Sequence, residues 1–519
     1  MNWLFLLLAL SGLWLTFNMY RPMYSHPRWA FFSFFAGWLW GELALHAIVF
    51  QVLATLFFVS LVGLETLPAN LAVLATIGSC IALARGFLGA RDTVPAVERA
   101  LCEGLGDGYV KKVRPELCKH FEQGVRWSPV LLPFPIRHPE VERVRDIKFD
   151  RQNGIDLKLD VYRHRSRAEN CPTLLQIHGG GWVIGDKGEQ ALPLMTQLAS
   201  RGWVCVSANY RLSPHATFPD HLRDVKRAIM WIREHGAEFG ANPDFLVVTG
   251  GSAGGHLAAL VALTANDLEY QPGFENVDTS VRACIPVYGV YDFTDRHGFW
   301  SYDLGELLET KVLKGSIDEI PDLYRKASPM DRIHPGAPPF CIIHGDRDSL
   351  VPVAEARMFA DMVKEASGEP VVYIEIAGAQ HAFELFPSLR TQAVVDGIER
   401  FVGYTYSRYL DARDAEPARA SKPAGATRAI ATPIAAAPAA RKRARTKAAK
   451  KPAAAKKTTT KRSAKKSAPK TAADVRANGA AGKTTKATKK KGAAASNGNG
   501  STPRRAKKSG DSTSPEARW

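Results

Sequence analysis

Uncharged apolar runs crowd the first ninety residues, and they constrain this chain more than any other feature. Residues 3–17 (WLFLLLALSGLWLTF) carry no charge. Residues 29–63 stay apolar, broken only by Glu42, His46 and Gln51, and residues 70–84 are apolar again up to Arg85. A membrane-spanning helix needs about 20 apolar residues. The middle run is too long for one upright span and just long enough for a tight pair. Residues 1–90 therefore read as a transmembrane helical anchor of three or four spans. The first run is a poor signal peptide, because no Lys or Arg precedes it and it has no small-x-small site.

The loop charges bear on orientation. Arg21 and Arg28 lie between the first and second runs, Glu65 between the later ones, and Arg85 and Arg91 after the last. With three spans the positive-inside rule puts the remainder of the chain in the cytoplasm, and with four it faces out; the reading leans to three. Glu42 and His46 share a helix face. They read either as a functional intramembrane pair or as a polar pair at a helix contact or hairpin turn, the second being preferred.

Residues 91–142 form a polar connector, with amphipathic helices expected over 96–105 and 109–124, the second kinked or restarted at Pro115. From 143 to 410 short β-rich runs recur at 155–162, 173–177, 203–208, 245–249, 283–287, 340–343 and 371–376. Helical patterns lie between many of them, at 222–235, 256–264, 353–366 and 391–409. Such alternation predicts an α/β domain with a mostly parallel sheet and helices on both faces. Sites in such folds lie where strands stop.

Three strand ends carry unusual residues. The strand FLVVT runs into Gly250-Gly251-Ser252-Ala253-Gly254-Gly255 and then a helix. A turn that tight needs small residues around the serine, and it lifts the hydroxyl out of the sheet near the positive end of a helix. A phosphate-binding turn or a simple strand–helix turn is the competing reading. A second strand ends at His178-Gly179-Gly180-Gly181-Trp182, where consecutive glycines can turn backbone N–H groups toward a forming oxyanion. No G-x-x-x-x-G-K-[ST] is present, so a nucleotide P-loop is not supported. At the third, the strand at 340–343 ends in His344-Gly345-Asp346-Arg347-Asp348, and the last strand ends near His381. His381 suits the base that a serine nucleophile needs, and a carboxylate would fix its tautomer. Asp346 competes with Asp348 for that role; Asp348 is preferred because it sits further into the loop. His344 reads as packing. The order Ser252, Asp348, His381 is that of α/β-hydrolases.

The set HGGGW, NYRLSP (Asn209–Pro214), GGSAGG, HGDRDSLVP and GAQHAF resembles the hormone-sensitive-lipase-type branch of the α/β-hydrolase carboxylesterases. With the apolar N-terminus it is similar to membrane-anchored actinobacterial esterases and lipases, over roughly residues 1–410. The resemblance implies Ser252 as nucleophile, His381 as base and Asp348 as acid, with oxyanion donors from Gly179, Gly180, Gly181 and Ala253. It implies that His178 and Trp182 shape the glycine loop and that NYRLSP supports it from behind. It implies no metal and no cofactor. Many members carry a Glu after the Asn-Tyr-Arg motif, where this chain has Ser213-Pro214-His215-Ala216. Residues 291–336 are expected to cover the pocket.

The basic character of the chain is local. Residues 417–519 hold 28 Lys/Arg against 3 Asp/Glu, whereas residues 1–416 hold 40 against 48. The folded part is therefore no basic nucleic-acid binder. A stretch from 411 to 519 so rich in Lys, Ala and Pro, with Trp519 its one aromatic after Tyr409, is expected to be disordered. It is expected to bind anionic lipid ahead of nucleic acid. Seven Cys make no disulfide scaffold; Cys102 and Cys118 could pair, but nothing requires it. The combined expectation is a multi-pass membrane serine carboxylesterase or lipase acting on a small-molecule or lipid ester, with its catalytic domain and tail cytoplasmic. An amidase, an acyltransferase on the same triad, and a membrane tether for nucleic acid are the alternatives.

Overall fold

In the computed structural model, residues 1–420 are described except 25–26, 120, 122–123 and 301. Residues 421–519, most of the expected basic tail, lie outside the described residues. The apolar runs form α1 (Asn2–Tyr20), α2 (Pro27–Glu42), α3 (Ala44–Val62) and α4 (Leu67–Gly89). The middle run does become a pair, broken at Leu43. Thr66 caps α4 through the N–H of Ala69. Among the described residues, α1, α3 and the helical stretch Leu67–Leu105 are long and apolar enough to cross a membrane; α2, at 16 residues, is not one of them.

Small and weakly polar side chains join the helices alongside apolar clusters. Thr16 Oγ1 and Ser79 Oγ are 2.7 Å apart, joining α1 to α4, and Tyr20 donates to the Ala82 carbonyl at 2.7 Å. Phe5, Ala9, Phe58, Ala69 and Ala72 cluster at one end of the bundle. Met19, Ala44, Ala47 and Leu83 cluster toward the other. That second end meets the rest of the chain: Phe87 and Leu45 pack with Val130 and Leu389.

In the connector α5 (Thr93–Leu105) forms as expected. Of the second, expected over 109–124 with a kink or restart at Pro115, the described residues hold only that restart. Gly106 and Gly108 take positive φ, a single 3₁₀ turn follows, and Pro115 starts only the short α6 (Pro115–Cys118) before α7 (Trp127–Leu131). α5 packs on the α/β domain. A Cβ on Gly104 would lie 2.6 Å from the Val371 carbonyl, and Val97 and Leu101 join the core. All seven cysteines are free.

The remaining elements alternate: β1 (Val141–Gln152), β2 (Ile155–His164), β3 (Cys171–Ile177), α8 (Leu192–Ser200), β4 (Val204–Ala208), α9 (Asp220–His235), β5 (Ala241–Gly251), α10 (Ala253–Leu263), β6 (Ala283–Val287), α11 (Tyr302–Leu307), α12 (Pro321–Ala327), β7 (Phe340–Gly345), α13 (Val353–Ala366), β8 (Val371–Ile376) and α14 (Leu389–Ala420). The strands form one sheet in the order β1-β2-β4-β3-β5-β6-β7-β8. Only the β1–β2 and β2–β4 pairings are antiparallel. β1 is absent from the sequence reading because VERVRDIKFDRQ is charge-rich; it is an edge strand with only one buried position. β3, β4 and β6 are buried throughout, as parallel strands covered on both faces should be. α14 runs ten residues past the expected boundary at 410.

Candidate active site

The β5–α10 turn is dictated by crowding. A Cβ on Gly254 would come within 2.1 Å of the Ile177 carbonyl, so only glycine lets α10 start against β3. Ser252 is forced to φ 57°, ψ −123°. A non-glycine residue there stores about 1–3 kcal/mol of strain, which persists only where its surroundings hold it. Its N–H donates to the Val287 carbonyl at 2.9 Å and its own carbonyl accepts from His256 at 3.0 Å. Its side chain, partly exposed, stands at the N-terminus of α10.

Asp348 and His381 come together from the ends of β7 and β8. His381 Nδ1 lies 2.6 Å from Asp348 Oδ2. Asp348 Oδ1 accepts the N–H groups of Leu350 (2.9 Å) and Val351 (2.8 Å). Burial opposes ionisation of Asp348, but attraction to His381 and hydrogen bonds from His344 and His381 outweigh it and hold the carboxyl well below the usual carboxylate range. Asp346 instead accepts the Gly378 N–H at 2.6 Å. His344 is fully buried, with Nε2 3.0 Å from the Val351 carbonyl and 3.2 Å from Asp348 Oδ2, so it contacts the acid as well as packing. Ser252 and His381 are not hydrogen-bonded to each other among the described residues, a contact that commonly tightens only with substrate bound. Tyr288 borders both His381 and the residue before Ser252. Its ring is 4.5 Å from the His381 ring, and its hydroxyl would be 2.6 Å from a Cβ on Gly251.

The glycine loop sits over the serine. A Cβ on Gly179 would lie 3.1 Å from Ser252 Cβ. The Gly179 N–H, however, is donated to Gln190 Oε1 at 2.6 Å, which removes it from the set of free oxyanion donors. Gly180 adopts φ 113° and has Ile184 backbone where a side chain would go. Ala253 opens α10, so its N–H has no carbonyl one turn back within the helix. Leu307 of α11, within the 291–336 segment, approaches Gly181.

Both residues flanking the loop are buried and partnered. His178 stacks on Tyr210 with ring centroids 4.4 Å apart. Trp182 Nε1 donates to His256 Nδ1 at 3.2 Å, and His256 Nε2 donates to the Ala327 carbonyl at 2.8 Å. The NYRLSP segment does lie behind the loop: Tyr210 donates to the His178 carbonyl and the Ser213 N–H to the Trp182 carbonyl. Tyr288, Gln190, Gln380 and His256 were missed by sequence reasoning. Gln380 Oε1 accepts the N–H groups of both Ser349 and His381, tying the two loops together. Tyr288, just past β6, was discoverable by the strand-end rule; Gln190 carried no signal.

His221 and His256 are buried, and burial pushes each down to about 3. Depressed histidines contribute stability that is complete above their unfolded value of about 6.5 and is lost as pH falls toward the folded value. The chain is therefore expected to lose up to about 1.4 kcal/mol per pH unit for each group below pH ~6.5. Thermal unfolding of the detergent-solubilised chain at pH 7.5, 6 and 5 checks this; an unchanged Tm would contradict it.

The BD-FAE family model matches residues 159–363. The chain is 37% identical over 401 residues to the probable carboxylic ester hydrolase LipM of Mycobacterium tuberculosis, covering 76% of this chain and 91% of that protein. It is 44% identical over 273 residues to Esterase LipQ of the same organism, covering 52% of this chain and 65% of LipQ, just under two thirds. Among solved structures, a thermophilic esterase from Thermogutta terrifontis is 28% identical, with a TM-score of 0.41, over 56% of this chain and 96% of that one.

Proposed function

The chain belongs to the hormone-sensitive-lipase-type carboxylesterases of the α/β-hydrolase fold, and from that premise we propose that it is a membrane-anchored serine esterase acting on lipophilic carboxylic esters. Ser252 is the nucleophile, His381 its base and Asp348 the acid that orients His381. The observation that carries this reading is the Asp348–His381 bond of 2.6 Å beside a serine held at positive φ on a strand-to-helix turn.

The steps follow from the geometry. Asp348 accepts from Nδ1 of His381, which leaves Nε2 free to take the Ser252 proton. Oγ attacks the ester carbonyl, and the oxygen that becomes negative is met by N–H groups of Gly180, Gly181 and Ala253. The imidazolium returns its proton to the departing alcohol oxygen, leaving an acyl-serine. Water, deprotonated by the same histidine, then releases the acid and regenerates the hydroxyl.

In this reading α1, α3 and α4 span the membrane. The ends carrying Arg21, Arg28, Arg85 and Arg91 lie on the hydrolase side and Glu65 on the far side, a charge bias that favours a cytoplasmic catalytic domain. The 28 Lys/Arg of residues 417–519 then face anionic lipid, ahead of nucleic acid, as their partner.

The test uses the full chain in detergent with p-nitrophenyl esters from acetyl to palmitoyl, together with labelling by an alkyl fluorophosphonate. Turnover, with a single label mapped to Ser252, is the expected result. A folded sample that neither turns over nor is labelled would sink the reading.

A further inference from the structure

Helix α2 meets the α/β domain on the loop that carries the catalytic histidine. Phe34, Trp38 and Glu42 recur every four residues and so share one helix face. Phe34 is 7% exposed, and its ring stands edge-on to the His381 imidazole with centroids 6.1 Å apart. Trp38 Nε1 donates to the carbonyl of Ala382, the residue after His381, at 2.9 Å. Its ring lies 4.9 Å from Phe386. Glu42 accepts from Ser388 at 2.5 Å and from Arg390 at 3.1 Å. The acid loop is tied to the anchor as well: Arg347 donates to the Met19 carbonyl at 2.7 Å and lies over the Tyr20 ring. The loops bearing Asp348 and His381 are thus both fastened to the N-terminal helices.

The other side of α2 is apolar and open. Trp29, Phe31, Phe32 and Phe35 are all exposed. At 16 residues the helix is about 24 Å long, short of the ~30 Å hydrocarbon thickness. An aromatic helix of that length, next to helices of spanning length, suits the bilayer interface rather than a crossing.

We propose that α2 is the membrane-side entry wall of the active site. An ester dissolved in the bilayer enters past the exposed aromatic side of α2, and its acyl chain meets Phe34 only at the end of that path, where the ring borders His381, while its carbonyl reaches Ser252. Trp38 is a positioning residue that holds the loop of His381. This rests on the serine-esterase reading above and narrows its substrate to bilayer-resident esters with long acyl chains. Leu307 of α11, beside Gly181 of the glycine loop, is the competing acyl wall.

The experiment uses the full chain in phosphatidylcholine vesicles, with p-nitrophenyl palmitate in the bilayer and p-nitrophenyl acetate in the water. Phe34→Ala is expected to lower kcat/KM for the palmitoyl ester at least tenfold more than for the acetyl ester, mostly through KM, and Phe34→Leu to restore most of the difference. Trp38→Phe keeps an aromatic ring, though a smaller one, and loses the donor to Ala382; it is expected to lower kcat for both esters alike with KM held. Equal losses on both esters in Phe34→Ala, or none, would overturn the proposal. Should the variant fail to insert, a long-chain fluorophosphonate with a terminal diazirine on the unaltered chain decides. Crosslinks in residues 27–42 support α2 as the wall, and crosslinks confined elsewhere, as in 291–336, overturn it. Absence of any label on Ser252 would instead bring down the underlying serine mechanism.

Discussion

Ser252→Ala is expected to lower kcat for every ester by about 10⁴–10⁶-fold while leaving the fold intact. Removing the nucleophile of a serine hydrolase costs about as much as removing the whole triad. What remains, about 10³–10⁴ over water, comes from the oxyanion donors and substrate binding. Stability should change little. The Ser252 hydroxyl is no part of the core, and the strain at φ 57° belongs to the backbone, which alanine must adopt equally. The variant should also lose the fluorophosphonate label. A loss below tenfold, with the label retained elsewhere, would mean that Ser252 is only a turn residue.

The sheet was legible because its strands are short apolar runs closed by glycine and polar residues. β6 begins and ends where its β-rich run does, since a strand buried throughout has no polar position to blur its ends; β8, although at an edge, matches its run because only Tyr373 and Glu375 in it are partly exposed. β1 was not legible, because an exposed edge strand needs no apolar face. The 109–124 segment misled for the opposite reason. Its residues have helical spacing, but Gly108 in the left-handed region and the restart at Pro115 are backbone preferences that override periodicity.

The catalytic candidates could be read because the chemistry demands rare residues at strand ends. What could not be read is the company they keep. Nothing local in QIHGGGW says that the Gly179 N–H is taken by Gln190. Glu42 shows the same limit. On a helical wheel it pairs with His46, yet the fold sends Glu42 to Arg390 and His46 to the Leu131 carbonyl. The preferred reading of a polar pair at a helix contact anticipated the kind of role but not the partners, which lie 348 and 85 positions along the chain. Packing of the N-terminal helices onto the loops of Asp348 and His381 is a tertiary fact, and hydropathy carries no information about it.

Asp348→Asn is expected to lower kcat/KM by about 10⁴-fold with the chain still folded, through the tautomer of His381. The carboxylate is held on both oxygens. Oδ1 faces two N–H donors, from Leu350 and Val351. An asparagine must therefore keep its carbonyl oxygen there and turn its NH₂ toward His381. His381 Nδ1, 2.6 Å from Oδ2 in the parent, would then meet a donor and have to accept. Its proton would move to Nε2, and a protonated Nε2 cannot take the proton of Ser252. His344 tolerates the change better, because its Nε2 retains the Val351 carbonyl. The acid limb of stability moves too. A carboxylate whose folded value is depressed contributes stability that is full above its unfolded value of about 3.9 and is lost as pH falls through the folded value. Asp348 supplies such a contribution and asparagine does not, so the variant should be less sensitive to acid below pH ~4. Asp346→Asn is the informative companion. Asp346 accepts the Gly378 N–H, a bond that the amide oxygen of asparagine can keep, so kcat should stay within about threefold of the parent. Measuring kcat/KM for both variants across pH decides between the two carboxylates: if Asp346→Asn proved the more damaging, the acid would have to be reassigned.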